Sequence, residues 1–201
     1  MKTIITVQHP ESLHHLNGMV GSWTDWDLSE KGIKQAESIA EKLKEEYGDR
    51  DFIIYSSDLL RASHAAEIIA DRFDKKVILK KELRERNLGK ARGKSVAWLK
   101  ENKEHEELTI DDKLFADAES RRDEWNRLRP FYEEIIANEE ENIIIVSHGD
   151  LLSVFNAMFL GLEAEALNEH DLFGFSGGVS LMNIDDKGKH IIKKLSDMSY
   201  I

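Results

Sequence analysis

The chain has 201 residues, 41% of them hydrophobic and only two of them proline, which is enough to bury one sizeable core and predicts a single domain over residues 1–201. Its formal net charge of -11 opposes non-specific attraction to nucleic acid and to anionic membranes, so neither is an expected partner and any anion site must be local. The absence of cysteine excludes disulfides, thiolate catalysis and cysteine-based metal sites, and accords with a reducing, cytoplasmic setting.

Met1 to Val7 carries one lysine and an apolar run too short for a signal sequence or a membrane span. Ile4, Ile5 and Val7 predict a short buried strand that ends at Gln8 and His9. Ile33, Ala36, Ile39, Ala40 and Leu43 then recur at helical spacing after Ser29, a good N-cap. Phe52 to Tyr55 predicts a second strand, and Leu60, Ala65, Ile68 and Ile69 a second helix capped by Asp58. The charge run Lys100 to Glu107 reads as a solvated helix face or loop. A helix is expected over 121–137, a strand over 143–147 and a helix from about Leu151 to Leu160. Val179 to Ile184 and Ile191-Ile192, separated by Asp185 to Gly188, predict a hairpin. Strands without polar alternation, separated by helices, imply an α/β three-layer sandwich: a mostly parallel central sheet flanked by helices, with an antiparallel edge.

Three polar segments fall at the carboxyl ends of predicted strands: Gln8-His9, Ser56-Ser57-Asp58 and Ser147-His148-Gly149. Open parallel sheets bind ligands at those ends, which would gather His9, Arg61 and His148 in one crevice. A neutral imidazole can attack phosphorus, so His9 is the expected nucleophile. Arg61 and His148 could meet the phosphoryl oxygens without a metal. Glu85, in Leu83-Arg84-Glu85-Arg86-Asn87, is the expected proton donor to the leaving oxygen.

Gln8-His9-Pro10-Glu11-Ser12, Leu28-Ser29-Glu30-Lys31-Gly32 with Gln35-Ala36, Ser56 to Ala62, Leu83-Arg84-Glu85, Glu119-Ser120 and Ser147-His148-Gly149 together resemble the histidine phosphatase (phosphoglycerate mutase-like) superfamily in order and spacing. The resemblance covers about four-fifths of the chain. It implies the phosphoglycerate mutase-like fold, a phosphohistidine on His9, phosphate contacts from Arg61 and His148, proton donation by Glu85, a small phosphorylated substrate, and no metal or other cofactor.

The chain departs from the family's Arg-His-Gly at Gln8-His9-Pro10. Gln8 offers a neutral amide to phosphate in place of a charged fork, and one lost charged hydrogen bond costs about 1.5–3 kcal/mol, or roughly one to two orders of magnitude in rate. Pro10 removes a backbone donor. His15 stands where relatives carry an asparagine that touches phosphate; it can replace those donors and, if protonated, restores a charge. Residues 80–94 hold seven basic residues against Glu82 and Glu85, either an anion-attracting rim or a basic loop paired with surface carboxylates. His14-His15 reads as a pair of phosphate-pocket histidines and not as a metal site. Trp23 and Trp26, and the Phe173 to Gly178 loop, either wall a substrate or simply pack.

The leading expectation is therefore a metal-independent phosphatase that hydrolyses phosphomonoesters through His9. The alternatives are a catalytically weak or inactive relative that binds a phosphorylated ligand and, ranked lower because the chain is short for the extra segments that cover substrate in those relatives, a phosphoglycerate mutase.

Overall fold

A computed structural model of the chain describes residues 1–138 and 142–201. Among these residues the elements run β1 (Lys2–Gln8), α1 (Leu13–Asn17), α2 (Glu30–Tyr47), β2 (Phe52–Ser56), α3 (Leu60–Phe73), β3 (Val77–Leu79), α4 (Val96–Asn102), α5 (Arg121–Ala137), β4 (Asn142–Ser147), α6 (Gly149–Phe159), β5 (Val179–Ile184) and β6 (His190–Asp197). The strands form one sheet in the order β3-β2-β4-β1-β5-β6. The first four lie parallel, and β5 and β6 close one side as an antiparallel hairpin.

Side chains on a strand alternate between faces, and β4 shows what that does here. Ile143 and Ile145 pack with Trp125, Leu128 and Phe131 of α5 and Phe155 of α6, whereas Ile144 and Val146 pack with Ile39 and Leu43 of α2 and Ile69 of α3. Three layers result. Both faces of β4 are covered, Ile143, Ile144 and Ile145 are fully buried, and each such side chain contributes roughly 1.5–3 kcal/mol. Every residue of α6 except Asp150 is buried.

Ser29 caps α2 as expected, its hydroxyl accepting the Gly32 N–H at 3.0 Å. Asp58 does not cap α3: Leu59 holds the cap position without a side-chain bond. Asp58 instead takes both Nε and Nη2 of Arg84, at 2.6 and 2.7 Å, because a bidentate charged pair outweighs one cap bond. α6 begins at Gly149, earlier than expected, since His148 occupies its cap position. Three elements carried no readable periodicity: α1 and α4 span two turns or fewer, and β3 has three residues at the sheet edge. Among the described residues no helix is long and apolar enough to cross a membrane.

Candidate active site

The backbone ladder extends one residue past the central strands. The His9 N–H donates to the Ser147 carbonyl at 2.9 Å and the Ser57 N–H to the Val146 carbonyl at 3.1 Å. His9, Ser57 and His148 are thereby fixed at the same end of β1, β2 and β4. In front of them lies a cavity of about 260 Å³ whose lining includes Gln8, His9, His14, His15, Arg61 and Glu85.

His9 is almost fully buried. Its Nδ1 lies 2.8 Å from the Pro10 carbonyl, which can only accept, so Nδ1 carries the proton and Nε2 the lone pair. Arg61 donates from Nε to that Nε2 at 3.2 Å. Burial first, then the Arg61 charge, holds the imidazole well below its ordinary range, so the ring is neutral. Arg61 is itself anchored by the carbonyls of Thr24 at 2.8 Å and Ser22 at 2.9 Å. Burial lowers its pKa to about 10, which leaves it a cation at neutral pH.

His148 does not line the cavity; it is fully buried behind it, with its ring edge-on to His9 at 5.1 Å. Nε2 is 2.8 Å from the Ser57 hydroxyl, and Nδ1 is buried with no partner among the described residues. Burial, followed by Arg61 and His9, keeps it well below the ordinary histidine range. A protonated His148 is thus excluded in the free protein at neutral pH, although a neutral ring with its proton on Nδ1 still donates. His15 follows the same rule. Its Nδ1 accepts the Ser12 N–H at 3.1 Å, leaving the proton on Nε2, and its ring stacks on His9 at 5.7 Å. Burial, then Arg61, lowers it, so His15 supplies a donor but not the missing charge. His14 bonds the Ser12 hydroxyl and is pulled down to about 3 by burial and by His15. The Gln8 amide lies between Gly149 and Gly174: a Cβ on either would come within 3.1–3.4 Å of it.

Glu85 lines the same cavity. Its Oε1 accepts the backbone N–H of Arg86 at 3.0 Å and of Leu151 at 3.3 Å, so a proton belongs on Oε2. Burial first, then Asp150, raises its pKa. The Glu85 loop is held by α5. Arg127 donates to the carbonyls of Glu82, Arg84 and Glu85 and is fixed by both oxygens of Glu119, at 2.8 and 3.0 Å. The Trp23 indole donates to the Glu85 carbonyl at 2.6 Å and stacks under Arg84 at 4.8 Å, so this tryptophan positions the loop by packing.

Within residues 80–94, Lys80, Arg84, Arg86 and Lys90 are paired with Glu134, Asp58, Glu107 and Glu104 respectively. The segment is chiefly a paired basic loop, and Arg86 alone of its basic residues lines the cavity. Arg86 also reaches Asp150 at 2.9 Å. Asp150 did not stand out in the sequence, although it directly follows His148-Gly149, and Arg86 stood out only as one of the seven basic residues of that segment. Glu107 shows that the charge run around it is not wholly a solvated surface. Among the described residues no three histidine or carboxylate side chains are grouped to hold a metal ion.

The sequence model of the histidine phosphatase superfamily (branch 1) matches residues 4–196. The chain belongs to that superfamily. Its superfamily relatives include a 2,3-bisphosphoglycerate-dependent phosphoglycerate mutase of Thermoplasma acidophilum, 32% identical over 92% of this chain and 88% of the mutase. A metal-independent phosphoserine phosphatase of Arabidopsis thaliana is also 32% identical, over 98% of this chain and 82% of that protein. In fold the chain matches Bacillus stearothermophilus YhfR with a TM-score of 0.85 at 22% identity, covering 100% of this chain and 99% of that one. Superfamily members are thus phosphatases and mutases, and a mutase matched over most of its length overturns chain length as a ground for ranking that activity lower.

Proposed function

We propose that this protein is a metal-independent phosphatase acting on small phosphomonoesters through a phosphohistidine on His9. The observation that carries the reading is the His9 ring: Nδ1 is committed to the Pro10 carbonyl, and the Nε2 lone pair is held at the cavity by Arg61. Nε2 attacks phosphorus as the bond to the alcohol oxygen breaks, and the Glu85 carboxyl gives that oxygen its proton. The Arg61 N–H turns from Nε2 to a phosphoryl oxygen as the new N–P bond forms. His148 Nδ1 and His15 Nε2 donate to the other oxygens, which gives the unpartnered Nδ1 its bond. Water then attacks the phosphohistidine, Glu85 takes its proton, and phosphate leaves. Gln8 contributes a neutral amide to the same oxygens. A cysteine-free composition supports a cytoplasmic setting.

A second reading, a weak or inactive relative that binds a phosphorylated ligand, is favoured by one observation: Gln8 brings no charge, and the histidines around the cavity are held neutral. Phosphate release from glycerol 1-phosphate and p-nitrophenyl phosphate under chelation separates the two. The native protein should release phosphate, His9→Ala should lose roughly 10³-fold or more, and Gln8→Arg should gain about tenfold. A silent native protein with a turning-over Gln8→Arg variant would establish the binder. Interconversion of phosphoglycerates that depends on added bisphosphoglycerate would instead establish a mutase.

A further inference from the structure

The catalytic cavity continues past Glu85. A second cavity of about 310 Å³ shares Arg86, Asp150 and Phe173 with it and adds Glu107, Arg121 and Asp171. Its position follows from the chemistry proposed above. An in-line displacement by His9 sends the alcohol away on the side of the proton donor, and Arg86, at the mouth of this chamber, is the residue after Glu85.

The chamber has two guanidinium groups and three carboxylates, an excess of one negative charge. Both cations are already engaged. Arg86 reaches Glu107 at 2.6 Å and Asp150 at 2.9 Å, and Arg121 reaches Asp150 at 2.7 Å and Asp171 at 3.2 Å. Arg86, Asp150 and Arg121 are only 13–14% exposed in these pairs, so they are poorly screened, whereas the Asp171 side chain is 45% exposed. An entering carboxylate would meet surplus negative charge and have to displace Glu107 or Asp171 from its arginine. An ammonium group would complete the charge count against carboxylate oxygens that retain lone pairs.

We infer that the chamber receives the alcohol part of the substrate, and that this alcohol carries an ammonium group: the substrate is a small phosphorylated amino alcohol. The inference rests on the phosphatase reading. It separates this chain from any relative whose substrate presents a carboxylate there, and it gives Glu107 and Asp171 the role of specificity residues.

The test compares phosphoethanolamine, glycerol 1-phosphate and 3-phosphoglycerate under chelation at constant ionic strength. For kcat/KM the chamber predicts phosphoethanolamine above glycerol 1-phosphate by about tenfold or more, with 3-phosphoglycerate last. Asp171→Asn and Glu107→Gln should each narrow the preference for the amine over the neutral ester. Release from all three esters with no amine preference, or with the carboxylate preferred, overturns the chamber and leaves the phosphatase reading intact. If no ester is hydrolysed, the phosphatase reading fails, and the dissociation constants of the same three esters decide the chamber by the same ranking.

Discussion

His9 has its reactive nitrogen chosen by one backbone oxygen, and the consequence is a nucleophile that stays unprotonated well into acid. Glu85 is shifted the other way, because burial and Asp150 penalise its charge. A lowered histidine and a raised carboxyl together predict activity that holds as pH falls through 6.5 and declines as pH rises through the raised Glu85 pKa. In Glu85→Gln that alkaline limb should vanish and kcat should drop about 10²-fold or more, while the first-turnover burst of p-nitrophenol from p-nitrophenyl phosphate, a leaving group that needs no proton, is slowed far less. A pH profile of both substrates for both proteins checks this, and an alkaline limb that survives the substitution would remove Glu85 from the mechanism. His9 and His148 were readable as candidates because each directly follows a strand, Glu85 because it sits in a short loop motif, and Arg61 because it opens the helix just beyond the second strand. The protonation pattern was not readable, since it depends on the Pro10 carbonyl, the Ser12 amide and the Ser57 hydroxyl, which only the folded loops bring to the rings.

At the scale of elements, β1, β2 and β4 were legible as short continuous apolar runs, and the helices α2, α3, α5 and α6 as longer stretches patterned for a helix. α1 was not, yet it carries His14 and His15 into the cavity, and its five residues fall below any periodic window. The contact that aims the His9 loop was hidden in a glycine. A Cβ on Gly32 would lie 1.9 Å from the Glu11 carbonyl oxygen, so only glycine lets the start of α2 meet that loop. The contact is reinforced by Ser29, which donates its hydroxyl to Glu11 at 2.7 Å and its N–H to the Glu11 carbonyl at 3.0 Å. Gly32→Ala should therefore cost ~2–3 kcal/mol and lower kcat as His9 shifts, read by urea unfolding beside turnover. An unchanged urea midpoint would contradict the close approach.

Across the whole molecule, a chain of net charge -11 concentrates ionisable groups under its active site. Glu124 on α5 is fully buried; neither carboxyl oxygen accepts a hydrogen bond among the described residues, and the Arg127 guanidinium stands 3.7 Å from Oε1. Burial first, then Asp150 and Glu85, raises its pKa well above the ordinary carboxylate range, so the folded state holds a proton that the unfolded chain releases. The native state then binds more protons, and stability falls as pH rises from about 4.3, the unfolded value, toward the raised one. The neutral histidines act in the opposite sense: the unfolded chain takes up protons below about 6.5 that folded His9, His14 and His148 refuse, so stability also falls on the acid side. Glu124→Gln should flatten the alkaline decline and leave the acid decline in place, measured by urea unfolding from pH 5 to 9. This coupling could not be foreseen from the sequence, because Glu124 and Asp150 lie on different helices in a polar and an apolar stretch of chain.

The mechanism requires that His9 Nε2 become covalently bound to phosphate. Rapid acid-free quenching of the native protein with a labelled phosphomonoester, followed by peptide mass spectrometry, tests it directly. An acid-labile, alkali-stable phosphoryl group should appear on the peptide that contains His9, absent in His9→Ala and accumulating in Glu85→Gln with p-nitrophenyl phosphate. Phosphate release at full rate by His9→Ala, or a phosphoryl group on any other residue, would contradict it.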